Sequence, residues 1–481
     1  MSGRWQWLFF IPIFLLAVGV RLLAYSHFDY SLGTIDTPTY LQASEIKFPS
    51  VAFFTSPRSA TIPLLYKLLR PSQGYHLDLV ANPAGEGGAH LPGDQGDFHS
   101  VVKVQVVISI LAWGSLAFVI FMHLKNPFVR VCAAAVILFF GFSPQLADWD
   151  TLLMSESLSF SLYALMTALV IELVFSLRQG AQSSRWKPYV WVVLLILVTS
   201  AWIFTRDTNA YLLFFSVVAL IALIVIASWR KMLPVGPLAL LAGALLAIFW
   251  FQQITFHASI RWLLPFLNNM TANVFPYPGR VQFFAARGMP VTPELISLRG
   301  SAEHNAIYDQ KDFIAWALKH GLDTYTQFLI RTPRWAFQTL YDDLESLFGL
   351  NQQWYFGEGY RGHPAWLIPL GNILHPASTA VVLIDILLAL LVIGLVYQQR
   401  TSWSIAWGVI AAWLLMSGLI LLAAGYFGEV RSVARHTLAG TVPLRLSLWI
   451  LLAIVADLSL FRPKLAGDMV GEQITRYPNQ S

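Results

Sequence analysis

Ten apolar stretches, each of about 20 residues and separated by polar segments, most of them short, decide the environment in which this chain of 481 residues can fold. They lie near 5–24, 101–124, 128–146, 157–177, 188–205, 210–229, 233–256, 376–398, 403–424 and 442–461. A bilayer core of roughly 30 Å takes about 20 apolar residues as a helix, and in hydrocarbon an unpaired backbone N–H or C=O is too costly for an open strand or loop. Hydrophobic residues make up 56% of the chain, charged ones 12%, and the mean hydropathy is +0.60, so packing alone cannot take the apolar surface out of water. The expected fold class is an all-α integral membrane protein of about ten transmembrane helices, with external loops carrying interfacial helices. The first stretch has the length of a secretory signal, yet Arg21 interrupts its end and no small-x-small cleavage pattern follows, so it reads as a retained anchor.

The net charge of +5 does not point to nucleic acid, because the positive residues are scattered through the short connections instead of forming a patch. Lys125 and Arg130, then Arg178, Arg185 and Lys187, then Arg230 and Lys231, then Arg400 mark one side of the membrane as cytoplasmic. Arg4, and Arg462, Lys464 and Arg476 in the tail, fall on that side too, as an even number of crossings requires. This divides the chain into a membrane module over 1–256 with a first external loop at 25–100, a long external region at 257–375, C-terminal membrane helices at 376–461 and a cytoplasmic tail at 462–481. The first external loop holds a Gly-rich stretch, GEGGAHLPGDQGDFH, and the second an amphipathic run, KDFIAWALKHGLDTYTQFLIRTP, and an aromatic segment, NQQWYFGEGYRGHPAW. Cys132 is the one cysteine, which excludes an intrachain disulfide.

Charged and hydrogen-bonding residues gather at the external ends of the apolar stretches, where a transporter would instead concentrate them near the midplane. In GTIDTPTYLQ, Asp36 and Tyr40 are four apart and share a face if helical; Asp36 is either a general base or an N-cap. Arg58, in SPRSATIPLLYKLL, suits either a phosphate or lipid headgroups. FSPQLADWDTLLMSESLSF crowds Asp148, Asp150 and Glu156, which calls for a compensating cation, metal or substrate hydroxyl, unless capping by Asp150 or Ser155 accounts for part of the pattern. Asp148 and Asp150 are the candidate oxygen ligands for a divalent ion such as Mg or Mn. Arg206 and Asp207 follow the fifth stretch, and Glu429, Arg431, Arg435 and His436 follow the ninth. Arg431 and Arg435, at i and i+4, would point one way on a helix and suit a phosphate or diphosphate, unless a salt bridge from Glu429 or interfacial anchoring accounts for them. Asp385 and Arg445 are charges inside apolar stretches, where buried pairing or snorkelling would suffice.

In their order along the chain, DTPTY, PRSATIPLLYKLL, ADWDTLLMSES and EVRSVARH resemble segments of the GT-C superfamily of multipass glycosyltransferases, over roughly the first 215 residues and again near 425–450. The resemblance implies a glycosyltransferase that moves a sugar from a polyprenyl-phosphate or diphosphate donor to an acceptor hydroxyl at the outer membrane face, with inversion. It places Asp36 at the acceptor nucleophile and makes Asp150 and Glu156 part of a second acidic element, with Asp148 beside them. Arg58, Arg206, Arg431 and Arg435, with Tyr40 and His436, then fall to the donor phosphate. Members with and without a divalent metal exist, so the resemblance leaves that point open. The implied partners are a polyprenyl-linked donor, membrane lipids and a glycan, lipid or protein acceptor, with no nucleic acid. The implied location is a bacterial-type cell membrane, termini cytoplasmic and the active site periplasmic or extracellular. The sequence lacks WWDYG, the motif of oligosaccharyltransferase catalytic subunits, which argues against protein N-glycosylation. A lipid-linked glycan polymerase, ligase or flippase, or a transporter, are the competing classes, separated from the enzyme by where the polar residues converge.

Overall fold

A computed structural model of the chain describes residues 7–24, 29–78, 94–178, 186–230, 234–300, 304–349, 355 and 362–460. Every apolar stretch of the sequence becomes a helix: α1 (Trp7–Ala24), α2 (His99–His123), α3 (Pro127–Phe142), α4 (Glu156–Arg178), α5 (Lys187–Ile203), α6 (Asn209–Arg230), α7 (Val235–Ser259), α8 (Ala380–Gln399), α9 (Ser402–Gly428) and α10 (Leu438–Leu460). Seven of these are long and apolar enough to cross a membrane, and α3 joins them if it is counted with the short turns that follow it across a 44° bend. The remaining two, α1 and α5, are apolar but shorter, so the structure yields an all-α membrane protein without fixing the number of crossings at ten. The bend after α3 has a local cause: Ser143 precedes Pro144, whose ring forces it out of the helical region to φ −70°, ψ 158°.

The core is a continuous apolar cluster between α2, α3, α4, α5, α9 and α10, including Trp113, Phe140, Trp202, Trp407 and Leu446. At α9 and α10 the approach is close enough to need glycine: a Cβ on Gly440 would lie 2.1 Å from the backbone nitrogen of Leu422, and one on Gly418 would lie 2.7 Å from Leu444. By contrast α6, α7 and α8 have only 28%, 33% and 22% of their apolar windows buried, and their outer faces are left for lipid.

One rim of the bundle is tied together by polar contacts. Asp457 accepts from the backbone N–H groups of Lys125 and Asn126 at 2.8 and 2.6 Å, the Trp403 indole donates to the carbonyl of His123 at 3.0 Å, and Gln399 donates to that of Leu458 at 2.7 Å. These contacts join the end of α2, the start of α3, the end of α8, the start of α9 and the end of α10, the same ends that the basic connections group on one side. At the other rim the first external loop is pinned to the connection between α3 and α4. Leu32 donates to Thr151 O at 2.8 Å and accepts from Leu153 N at 3.0 Å, which sets the helix Thr37–Glu45 beside the start of α4.

The amphipathic run of the second external region folds as Lys311–Trp316, a π-helical turn at Ala317–Gly321 and Leu322–Arg331. It packs into a second apolar core with Trp262, Phe266, Met270 and Phe284, so it is a packed element with its own interior and not merely an interfacial helix. Gly321 sits where a Cβ would come within 2.9 Å of Phe266, which is why the helix can approach so closely there. Most of the Gly-rich stretch and of the aromatic segment, Arg4, Arg185, Lys231 and the tail with Arg462, Lys464 and Arg476 lie outside the described residues.

Candidate active site

A cavity of about 610 Å³ opens at the rim opposite Asp457, between the first external loop, the ends of α4, α6 and α9, and the packed second external region. Four carboxylates line it, Asp36, Glu156, Asp207 and Glu429, and so do the four arginines Arg58, Arg206, Arg261 and Arg435. Tyr40 and His436 complete the polar part. The remainder is apolar and includes Phe215, Phe256, Leu329, Leu419 and Ile420. Tyr211 and Phe215 line the cavity from α6 and are still half exposed on a helix that faces outward, so this wall is open toward the lipid side.

Asp36 occupies the N-cap position of the helix Thr37–Glu45 yet makes no capping bond with its side chain. Its two oxygens go to two guanidinium groups: Oδ1 accepts from Arg58 at 2.6 Å, and Oδ2 from Arg435 at 3.2 and 3.3 Å. Burial works against the Asp36 charge, but Arg58 and Arg435 outweigh it and hold its pKa below the ordinary aspartate value. Arg58 is itself fixed from three directions: Nε donates to Thr39 Oγ1 at 2.5 Å, the guanidinium carbon lies 4.6 Å from the centre of the Tyr40 ring, and Nη2 holds Asp36. Burial pushes the Tyr40 phenol above its usual value, so it stands in the cavity as a neutral hydroxyl.

Glu156, at the first position of α4 and almost fully buried, balances two cations, Arg435 Nε at 3.5 Å and Arg206 Nη2 at 3.8 Å. Arg435 also donates to the Tyr355 hydroxyl at 3.1 Å. Arg206 Nη2 lies 3.0 Å from His436 Nδ1. A guanidinium has no acceptor, so His436 Nδ1 must be unprotonated and Nε2 carries the hydrogen. Burial and the charges of Arg206, Arg435 and Arg58 drive the His436 pKa well below its usual value, in agreement with that assignment. Among the described residues, Arg206 Nη1 and Arg435 Nε are buried without a hydrogen-bond acceptor.

Three sets of contacts escaped the sequence reading, two of them in the cavity. Arg261 chelates Asp207 through Nε at 3.0 Å and Nη2 at 3.1 Å, and its Nη1 donates to the carbonyls of Phe54 and Ser56 at 3.2 and 3.1 Å. It therefore clamps the segment that carries Arg58, with Asp207 held in turn by Ser59 and Gln252 at 2.9 and 3.1 Å. Glu429, weighed from the sequence only as a salt-bridge partner, lines the cavity. Its Oε1 accepts from Asn268 and from the backbone N–H of Arg431, each at 2.9 Å. Burial raises its pKa above the ordinary glutamate value. Arg21, read as an interruption of the first stretch, is the buried partner of Asp150. No local pattern announces these pairings, since Arg21 and Asp150 are 129 positions apart.

Two expectations need correction. Asp148 and Asp150 do not line the cavity and do not form a shared ligand set. Asp150 accepts from Arg21 at 3.0 Å and Ser157 at 2.6 Å, and Asp148 lies 2.8 Å from His363 Nε2. The crowding of carboxylates in that connection is thus resolved pair by pair, and among the described residues no group of three or more His, Cys, Asp or Glu converges as a metal site. A divalent ion on Asp148 and Asp150 does not fit this donor arrangement. Arg431 also stays outside the cavity lining. Ser432 adopts a left-handed conformation (φ 48°), so the helix begins only at Val433 and the i to i+4 relation between Arg431 and Arg435 is broken. Of the sequence candidates, Asp36, Tyr40, Arg58, Glu156, Arg206, Arg435 and His436 come together in the one cavity. Asp385 accepts from the Ser447 hydroxyl through Oδ2, its Oδ1 being buried without a hydrogen-bond donor among the described residues, while Arg445 donates to the carbonyls of Phe348 and Pro376.

No family model and no curated protein matches the chain. Among solved structures it is similar to the archaeal oligosaccharyltransferase AglB from Archaeoglobus fulgidus in complex with an inhibitory peptide and a dolichol-phosphate, at 11% identity and a TM-score of 0.44, over 98% of this chain and 54% of that one. The oligosaccharyltransferase of the same organism in the apo form gives 11% and 0.43, over 100% of this chain and 53% of that one. Its complex with Zn and sulfate gives 12% and 0.41, over 98% and 56%. The neighbours are thus described as oligosaccharyltransferases, and this chain spans little more than half their length. At that level of similarity nothing of their chemistry transfers to this chain.

Proposed function

We propose that the chain is a membrane glycosyltransferase that moves a sugar from a polyprenyl-phosphate or diphosphate donor to an acceptor hydroxyl, at the end of the bundle that carries the cavity. The observation that carries this reading is the union, in one cavity, of an arginine cluster with unfilled donors and an apolar wall half open to lipid. Buried N–H groups without acceptors call for an anion, and a cluster of planar guanidinium forks suits a tetrahedral phosphate, which offers several oxygens, better than a monatomic anion. An isoprenoid tail can stay in hydrocarbon along Phe215, Leu419 and Ile420 while its phosphate reaches Arg58, Arg206 and Arg435.

In the reaction, the acceptor oxygen attacks the anomeric carbon as the bond from that carbon to the phosphate oxygen breaks. The acceptor proton passes to the Asp36 carboxylate and the lipid phosphate leaves with the bonding electrons. Attack opposite the leaving group inverts the anomeric centre. Charge grows on the departing phosphate, where preorganised Arg58, Arg206 and Arg435 stabilise the transition state more than the ground state. His436 adds an N–H donor, and Glu156 holds Arg206 and Arg435 in place. The packed second external region, through Trp262, Phe266 and Tyr325, covers the cavity from above and limits water. The basic connections at the opposite rim support a non-cytoplasmic face for the cavity, by the positive-inside rule.

The test is sugar transfer, or donor hydrolysis, from a panel of polyprenyl-phosphate sugars by the purified chain in lipid nanodiscs, beside Asp36→Asn and Arg435→Gln. Turnover by the native chain that falls at least about a hundredfold in both variants supports the reading. Turnover that persists unchanged in Arg435→Gln sinks the phosphate assignment, and turnover unchanged in Asp36→Asn sinks Asp36 as the proton acceptor.

A further inference from the structure

The cavity's charges are balanced before any ligand enters: four carboxylates face four arginines, and the pairs already made leave no whole guanidinium to spare. The groups facing Asp36 come from every element around it: Arg58 from the first external loop, Arg435 from the helix Val433–His436, Tyr40 from its own helix, and Tyr355 from the second external region. Glu156 acts on the same group through Arg435, and Arg206 and His436 stand behind Glu156. Arg58 and Arg435 are the two positive groups that grip Asp36, one at each oxygen.

We infer that Asp36 is the chain's own stand-in for the donor phosphate. It occupies the Arg58–Arg435 anion site in the empty state and gives it up when a phosphate arrives, so that donor binding frees the carboxylate that then takes the acceptor proton. This rests on the reading of the cavity as a phosphate-donor site. The geometry favours exchange over simple addition, because a phosphate anion placed against Arg58 and Arg435 with Asp36 still between them would put like charges at contact distance. Once a guanidinium turns to the phosphate, the carboxylate loses the partner that kept it a weak base. The order of events follows: phosphate first, proton abstraction second, with the proton acceptor unavailable while the cavity is empty.

The experiment is binding by the full chain in lipid nanodiscs to three probes: a prenyl phosphate, the prenyl alcohol of the same length, and inorganic phosphate. The chains compared are the native one, Asp36→Asn, Asp36→Ser and Asp36→Glu. Because Asp36 caps nothing, its replacement should leave the helix Thr37–Glu45 folded. Removing the internal competitor should tighten prenyl phosphate binding on the order of tenfold, the value of one charge-assisted hydrogen bond that no longer has to be broken. Prenyl alcohol affinity should not change, and Asp36→Glu should bind like the native chain. Prenyl phosphate bound better than the alcohol by the native chain, but no tighter in Asp36→Asn or Asp36→Ser, overturns this inference and leaves the donor reading standing. No preference for the phosphate over the alcohol in any chain overturns the donor reading itself. A gain for inorganic phosphate equal to that for prenyl phosphate supports the exchange but assigns the site to a free phosphate. On the unaltered chain, infrared difference spectra should show a carboxylate band leaving its guanidinium-paired position when prenyl phosphate is added, and a silent carboxylate region would overturn the exchange.

Discussion

Replacing Arg21 by Met should destabilise the protein by about 3–5 kcal/mol without altering the cavity's chemistry. The side chains of Arg21 and Asp150 are each only 3% exposed, and Arg21 meets Asp150 Oδ2 at 3.0 Å and the Ala147 carbonyl at 3.3 Å. With Arg21 gone, Asp150 keeps its bond from Ser157 but faces its surroundings as an uncompensated charge, and breaking one partner of such a pair is costly because the other stays buried. Converting the survivor as well, in Arg21→Met with Asp150→Asn, removes the stranded charge and should return most of the loss. A double-mutant cycle should then give a coupling of roughly 2–3 kcal/mol. Reversible unfolding in mixed micelles followed by tryptophan fluorescence reads the stability, and prenyl phosphate binding, normalised to the folded fraction, reads the site. The reasoning fails if Arg21→Met is as stable as the native chain. It fails equally if Asp150→Asn folds normally and loses phosphate binding, because Asp150 would then act in the site and not beneath it.

A Cβ on Gly425 would lie 2.6 Å from the carbonyl oxygen of His436, so Gly425→Ala should push the segment carrying Arg435 and His436 and weaken prenyl phosphate binding on the order of tenfold. Gly394→Ala, with open space at that position, should bind as the native chain does. Arg58→Gln should cost transfer at least about a hundredfold, while Arg431→Gln, outside the cavity lining, should cost less than about fivefold, both read as kcat/KM. The pH dependence has a definite sign. Guanidinium pairing lowers the Asp36 pKa, so its contribution to stability is fully present above the ordinary value of 3.8 and is lost only as pH falls through the lower folded value. Melting of the native chain should therefore show no loss from this pair at pH 5. With Arg58 replaced by Gln, one lowering influence is gone, and the acidic limb of any residual pH–rate profile should move to higher pH.

The membrane architecture was legible because composition acts over each stretch independently: twenty apolar residues in a row have few other options, and all ten stretches appear as helices within a few residues of their expected ends. The helix ends that Asp457, Trp403 and Gln399 tie into one rim are among those that the basic connections group together. The polar residues that line the candidate cavity were legible as a group at the ends of apolar stretches but not as pairs. Asp36 and Arg435 stand 399 positions apart, and nothing near either one states that they meet. Local spacing misled where the backbone departs from a helix, as at Ser432 between Arg431 and Arg435. Proximity in sequence misled at Asp148 and Asp150, which the fold sends to different partners, His363 and Arg21. Arg261 carried no signal beyond its place after a helix, although it fixes the loop that presents Arg58.

The half-exposed wall formed by Tyr211 and Phe215 has a kinetic corollary. A tailed substrate that enters there never leaves the plane of the bilayer, so encounters occur by lateral diffusion in two dimensions. The relevant concentration is then the mole fraction of donor among the lipids, not its amount per litre. Diluting a fixed quantity of donor with inert lipid should slow the reaction even at constant bulk concentration, and half-saturation should be constant only when expressed per lipid.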